Sequence, residues 1–375
     1  VVSGTIRDLN VQIDKFYNDY DAENDYTYAG GLVGLLENNG IIDHCSVTGG
    51  NQAFSINSST KAAIGGLVGL MRSGSMVANS WSDIGLNYGT ISPDNADVYM
   101  GGICGRQDKN SLIANSASFG SVPGTIINGT IRVGGLVGYT SGAIYNCYTN
   151  SVTKLNNILG VSAGTVVPSI GHLIGGAENG AALYQCYYDK NADQFGNTDL
   201  AGDPSEGKTE RRQAVGRDSD SDPFPDTDFV QAKTSTQLAS DDFAEELNGN
   251  NKNNVKKAAD AYFTANKLLE SPIADLEDKL SAGFSKWQPT DGRVLFGDKA
   301  IERVSITDVE LLEQRTVDNG TSQAALDLPE AVEVTLSDHT KAQLSVSWQC
   351  GSYDGNTAGS YTFEGTLALT NGITN

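Results

Sequence analysis

Along the first half of the chain, apolar residues come in short bursts bracketed by glycine, without the 3.6-residue spacing that marks a helix. The burst GGLVG at 30–34 returns at 65–69, at 101–105 as GGICG, at 134–138 and at 171–175 as GHLIG. The starts lie 35, 36, 33 and 37 residues apart. A word returning at that interval is the signature of a repeat architecture. Fixed columns follow each copy. One is aliphatic (Ile42, Val77, Ile113, Ile144, Leu183), one polar (His44, Asn79, Asn115, Asn146, Gln185) and one small (Cys45, Ser80, Ser116, Cys147, Cys186).

Stacked coils explain all three. Equivalent residues of successive coils lie about 4.8 Å apart, so an aliphatic column fills an interior and each buried member contributes roughly 1.5–3 kcal/mol. A polar column stacks as a hydrogen-bonded ladder, and a small column lets the backbone turn a corner. Glycines permit bends on either side of a short strand. The fold expected over 1–190 is therefore a parallel β-solenoid, in a mainly β protein. Residues 4–11 (GTIRDLNV) align with 40–47 (GIIDHCSV). The chain thus opens in the second half of a coil, which implies further coils upstream in a parent protein.

Beyond Tyr187-Tyr188-Asp189 the pattern changes. Residues 191–230 read as a polar, acidic linker. Helical spacing then appears at 234–248, with Ser240 as an N-cap, at 254–270, ended by Pro272, and at 274–280. With the apolar cluster Phe284, Trp287, Val294, Leu295 and Phe296, the segment 231–300 is expected to cap the open end of the solenoid core. From 301 the period is two: Val332/Val334/Leu336, Leu344/Val346/Trp348, Tyr361/Phe363 and Leu367/Leu369 alternate with polar residues. A small antiparallel Ig-like β-sandwich with Trp348 in its core is expected over 301–375.

Charge narrows the function. Lys+Arg 25 against Asp+Glu 46 gives −21, which disfavours nucleic acid and anionic membrane surfaces. No run of 18 apolar residues exists to span a bilayer. Four of the five cysteines sit in repeat columns, Cys104 in place of a word valine. Small buried residues are the simpler reading, with a disulfide or metal site as the other. Cys350 reads as a free thiol.

Candidate chemistry is sparse. Asp189, Asn191 and Asp193 alternate as D-x-N-x-D, and Asp218, Asp220 and Asp222 as D-x-D-x-D. Oxygens at every second loop position can converge on calcium, the one cofactor the sequence suggests. Gln194 and Pro223 stand where a calcium loop wants glycine, so a solvated acidic loop is the competing reading. His44, His172 and His339 are isolated, which argues against zinc or a Ser-His-Asp triad. Asp8, Asp14, Asp43 and Asp83 could line one flank, but no spacing selects a hydrolase pair. Tyr145, Tyr148, Tyr184, Tyr187 and Tyr188 flank the small column in the last coils. They either stack on sugar rings or pack against the helical segment.

The GGLVG word with its I-x-N-C/S columns, in copies starting at Gly30, Gly65, Gly101, Gly134 and Gly171, resembles the GLUG-motif repeat of bacterial, mostly cell-surface, proteins. The stretch 233–298, with Leu247-Asn248 and Trp287 before Asp291-Gly292, is similar to what usually follows such repeats. The tail, from Leu328-Pro329 through Val346-Ser347-Trp348 to Gly359–Leu367, looks like a bacterial immunoglobulin-like domain. The resemblance implies an extracellular, secreted or wall-attached module without a catalytic motif, acting in adhesion or as a spacer. Its partners would be a host or wall glycan, a protein ligand, or other domains of the same polypeptide. The runner-up is the β-helical glycan-binding or catalytic part of a carbohydrate-active enzyme. GLUG repeats also accompany IgA-specific metallopeptidases, but their His-Glu-x-x-His is absent here.

Overall fold

The computed structural model describes residues 1–18, 26–50, 53–58, 61–90, 96–124, 129–155, 169–177, 182–192, 214–216, 229–290, 292–296, 304–336, 341–368 and 373–374. They divide into two units, Val1–Asp298 and Lys299–Asn375.

The first unit is built on a parallel β-solenoid with five sheets, each made of one short strand per coil. The aliphatic column is one interior file. Ile6 pairs with Ile42, Ile42 with Val77, Val77 with Ile113, Ile113 with Ile144 and Ile144 with Leu183. From Ile42 onward every member is 0% exposed. The glycine word marks the bend between two of the sheets, for instance between Lys61–Gly65 and Val68–Met71. Its glycines answer to close backbone approach between coils. A Cβ on Gly66 would lie 2.0 Å from the carbonyl oxygen of Gly102, and one on Gly102 would lie 2.2 Å from that of Gly135.

The last copy has His172 where the others have that second glycine. His172 is 4% exposed and its ring lies 4.7 Å from Tyr188, a bulky residue in the place that Ser82, Ser118 and Thr149 hold in earlier coils. A larger pair thus fills this position in the last full coil. Burial depresses the His172 pKa to about 3.

Two later pieces lengthen the solenoid. Val230–Lys233 joins one sheet as its seventh strand, parallel to Cys186–Asp189. Val215 bridges to Ile174. So part of the stretch expected to be linker adds to the final coil.

Helices follow at Ser235–Leu238, Asp241–Asn250, Asn253–Ala265 and Ile273–Glu277. The first expected helix is two, because Thr234 forms a capping box and Ser240 a fresh N-cap. The second of them runs past the expected end at 248 to Asn250. The third ends before Lys267, which turns left-handed at φ 56°. These helices do not sit over the open end of the core as expected. They lie along the flank, where Phe263, Leu269 and Ile273 cover the outward faces of Ile41, Met76, Leu112 and Tyr145.

In the second unit, described by itself, a five-stranded sheet runs Glu364–Leu367, Lys341–Gln349, Ala331–Leu336, Val304–Val309, Ile373–Thr374. All its pairings are antiparallel but the last. Val332, Val334 and Leu344 form its core, with Trp348 half-buried beside them and its indole donating to Pro329 O at 2.8 Å. Tyr361 and Phe363 precede the strand and pack on Tyr353.

Gly66→Ala should lower stability by several-fold more than an ordinary surface change, because the clash is with backbone. Gly249→Ala, with nothing within 4 Å, should leave the melting temperature unchanged or slightly raised. Equal effects from the two would contradict the stacking. Acid should also destabilise the protein through His172. As pH falls through 6.5 the unfolded chain takes a proton that the folded chain refuses down to about 3. His172→Gln should therefore narrow the gap in melting temperature between about pH 7 and about pH 4.5; an unchanged gap would refute this assignment.

Candidate functional site

The polar column lies at a sharp corner between two sheets. His44, Asn79, Asn115, Asn146 and Gln185 all have positive φ, at 53°, 49°, 47°, 51° and 54°. Asparagine tolerates this left-handed conformation better than most residues, which accounts for its prevalence here. The next residue in each coil donates across the corner to the carbonyl two residues back. Ser80 Oγ reaches Ala78 O at 2.6 Å, Ser116 Oγ reaches Ala114 O at 2.8 Å, and Cys147 Sγ reaches Tyr145 O at 3.2 Å. Serine and cysteine interchange in this column because both are small donors. Burial raises the thiol pKa of Cys45 to about 11 and of Cys186 to about 12, which makes them poor nucleophiles.

The carboxamides stack as expected. Asn115 Nδ2 donates to Asn79 Oδ1 at 2.9 Å, and Asn146 Nδ2 to Asn115 Oδ1 at 2.9 Å. Asn79 Nδ2 in turn donates to Asp43 Oδ1 at 2.8 Å. The ladder faces outward, however, and the helical segment is what it holds. Ser281, Gly283 and Ser285 meet Asp43, Asn79 and Asn115 in succession, two residues of cover to each coil. Trp287 Nε1 donates to Asn115 Oδ1 at 2.6 Å. Asn250 and Asn251 donate to Asn146 and Asn115, each at 2.9 Å. Sequence reasoning found the ladder but not its partner. The available signal was the period-two run of small residues Ser281, Gly283 and Ser285 just before Trp287.

Asp43 terminates the ladder and is 0% exposed. Burial alone would raise its pKa, but hydrogen bonds with His44, Asn79 and Ser281 outweigh this and hold it below the ordinary carboxylate value. His44 Nδ1 lies 2.8 Å from Asp43 Oδ1, and Nε2 lies 2.6 Å from Ser285 Oγ. Ser285, His44 and Asp43 thus stand in the order of a hydrolytic triad, which the isolated histidines had argued against. The resemblance ends there. Ser285 is 5% exposed, its N–H donates to Asn79 and its carbonyl accepts from Asn115. A substrate carbonyl needs room beside both nucleophile and oxyanion donors, and the cover occupies that room. Asp83 is in an ion pair with Arg293 at 2.8 Å, so Asp43 and Asp83 are each held by the cover segment. Asp8 stands at the equivalent left-handed corner of the first coil, and Asp14 is exposed.

The five tyrosines offer no face to a sugar. Tyr145, Tyr148 and Tyr187 are 0% exposed, Tyr188 1% and Tyr184 6%. Tyr145 donates to Asn250 O, Tyr148 to Val294 O, and Tyr187 accepts from Asn250 at 2.9 Å. Tyr184 stacks on Phe229 at 4.0 Å. Tyr188 alone points into the solenoid core. The expectation of sugar stacking is corrected for all five: packing under the helical segment, or inside the coil, uses their rings.

Of the calcium candidates, Asp189 is 4% exposed and both its oxygens accept protein hydrogen bonds, from Asn191 N at 2.8 Å and Ser235 Oγ at 2.6 Å. Asn191 contributes that backbone N–H, forming a local turn. Asp193, Asp218, Asp220 and Asp222 lie outside the described residues, as does His339. Among the described residues no three His, Cys, Asp or Glu gather as a metal site.

The geometry defines a parallel β-solenoid with a bound flank segment, accompanied by an antiparallel domain of Ig-like type. Residues 25–52 match the family model of the GLUG motif, and residues 310–370 match that of the bacterial Ig-like domain (group 4). No curated protein and no solved structure matches the chain. The pairing of these two domains fits a bacterial surface or extracellular module. Among the described residues no helix is long and apolar enough to cross a membrane.

Asn115→Gly keeps the left-handed corner but removes the amide that meets Asn79, Asn146, Ser285 and Trp287. It should cost about 1–3 kcal/mol and expose 229–296 to limited proteolysis before the solenoid is cut. Loss of solenoid and flank at the same protease dose would oppose a separable docking role for the ladder.

Proposed function

We propose that the chain is a non-catalytic extracellular module of a large bacterial surface or secreted protein, serving in adhesion or as a spacer that holds other domains of the polypeptide away from the cell wall. The observation that supports this most is the sealing of the polar ladder. Among the described residues, the strip of the solenoid that clusters acid, imidazole and hydroxyl groups is covered by the chain's own flank segment, and those groups hold the cover instead of facing solvent. A spacer also needs stiffness. Five parallel sheets run from coil to coil, so bending requires breaking several ladders together. The two matched domain types are consistent with this setting.

The competing class, a glycan-cleaving β-helix, calls for two carboxylates facing each other across an open site. Asp43 and Asp83 are instead engaged with Ser281 and Arg293. The purified chain should release no reducing ends from a panel of wall and plant polysaccharides. Turnover abolished by a single Asp→Asn change would overturn the non-catalytic reading.

A further inference from the structure

In the second unit the strand Val304–Val309 leads into an extended stretch without a backbone partner. Residues 311–318 run on with no helix, strand, turn or bend. The last pairing before them is Glu310 N–H to Glu333 O at 2.9 Å, and beyond them Gly320 N–H donates to Gly355 O at 2.7 Å. Among the described residues, the backbone N–H and C=O groups of 311–317 meet no protein partner. Val309, Leu311, Leu312 and Val317 are all exposed here, Leu311 to 96%. Single surface hydrophobes are ordinary. A cluster of them along unpaired extended backbone is a template for a further strand.

A cleft of about 720 Å³ opens between 312–317 and the aromatic side chains Trp348, Tyr353, Tyr361 and Phe363, each of them half-buried. The rings brace one another. Tyr353 meets Tyr361 edge-on with centroids 5.0 Å apart, and Phe363 at 5.5 Å. Their polar tips are already used. Trp348 Nε1 donates to Pro329 O and the Tyr353 hydroxyl to Thr321 O, both at 2.8 Å, and the Tyr361 hydroxyl donates to Asp354 O at 3.0 Å. What these side chains present to the cleft is therefore ring surface, held in place by the main chain.

We infer that this edge and cleft together bind an extended basic peptide by strand addition, its main chain beside 311–317 and an arginine or lysine side chain on the aromatic faces. The unpaired N–H and C=O groups match a peptide backbone and supply affinity whatever the sequence. Specificity comes from the cleft. Ring faces attract a cation, whereas the indole and both hydroxyls, spent on the main chain, are not free to bond the hydroxyls of a sugar. Charge points the same way. The stretch carries Glu310, Glu313 and Asp318, all exposed, against Arg315, whose guanidinium donates to the carbonyls of Leu326 and Asp327. A cationic partner complements that excess and the −21 of the whole chain.

The inference does not rest on the spacer reading. Failure to bind would leave a spacer intact, while polysaccharide hydrolysis would end the spacer reading without touching this edge. The test is fluorescence anisotropy of a labelled peptide of alternating arginine and valine, titrated with the whole chain in about 0.15 M salt to screen general attraction. Two further peptides carry N-methyl groups on alternate amides, one on the arginines and one on the valines, and a fourth has glutamate for arginine. Saturable binding is expected, at least about ten-fold weaker for one methylated peptide than for the other, and for the acidic peptide. Thr316→Pro, which removes an N–H that has no protein partner and blocks the edge, should weaken binding by a similar factor. The methylated pair needs no variant, so it decides the matter even if Thr316→Pro melts early. No saturable binding, equal binding of the two methylated peptides, or equal binding of the acidic peptide would overturn the proposal. Dimerisation of the chain that Thr316→Pro abolishes would overturn it too, by giving the edge to a second copy.

Discussion

Everything in the first unit depends on like residues lying over like residues. Register in a β-solenoid is set by the tightest contacts, and here those are backbone to backbone at the glycine word, where a Cβ would fall about 2 Å from the next coil's carbonyl. That fixes the bend. The bend fixes which side chains enter the core file from Ile42 to Leu183 and which leave it at the left-handed corner. A one-residue slip would reverse the two sets. Core and ladder are therefore two consequences of one constraint.

The corner also explains why the flank is covered. A residue held at positive φ presents its side chain outward, and a run of asparagines there forms a strip with donors and acceptors beyond those the ladder itself uses. Leaving it to water would be acceptable at an exposed surface. Here the neighbouring outward faces, from Met76 to Tyr184, are apolar. Burying those faces under helices obliges every ladder group to find a protein partner. Ser281, Ser285, Trp287, Asn250 and Asn251 supply them. The polar groups that look most like chemistry thus serve docking.

Much of this was legible in the sequence, for physical reasons. Repetition exposed the core file, the ladder and the small column, because equivalent residues must obey the same local rule in every coil. Helix existence at 241–250 and 253–265 followed from Ser240 and from spacing. What was not legible is where non-repeating parts rest. Tyr145 and Tyr148 look like surface aromatics until a flank segment a hundred residues later is placed over them. Asp43, His44 and Ser285 meet only through that docking, so no motif announces them. At Asp189 the alternating acids make a local turn whose oxygens are engaged by Asn191 and Ser235, while Asp193 lies outside the described residues.

The central claim, a continuous amide ladder buried beneath the flank segment, is tested most directly by deuterium exchange of the side-chain carboxamide protons of Asn79, Asn115 and Asn146, followed by NMR. The account predicts protection comparable to that of the backbone amides of Leu112–Ala114 in the same coils. Carboxamides that exchange at once while those strands remain protected would contradict it.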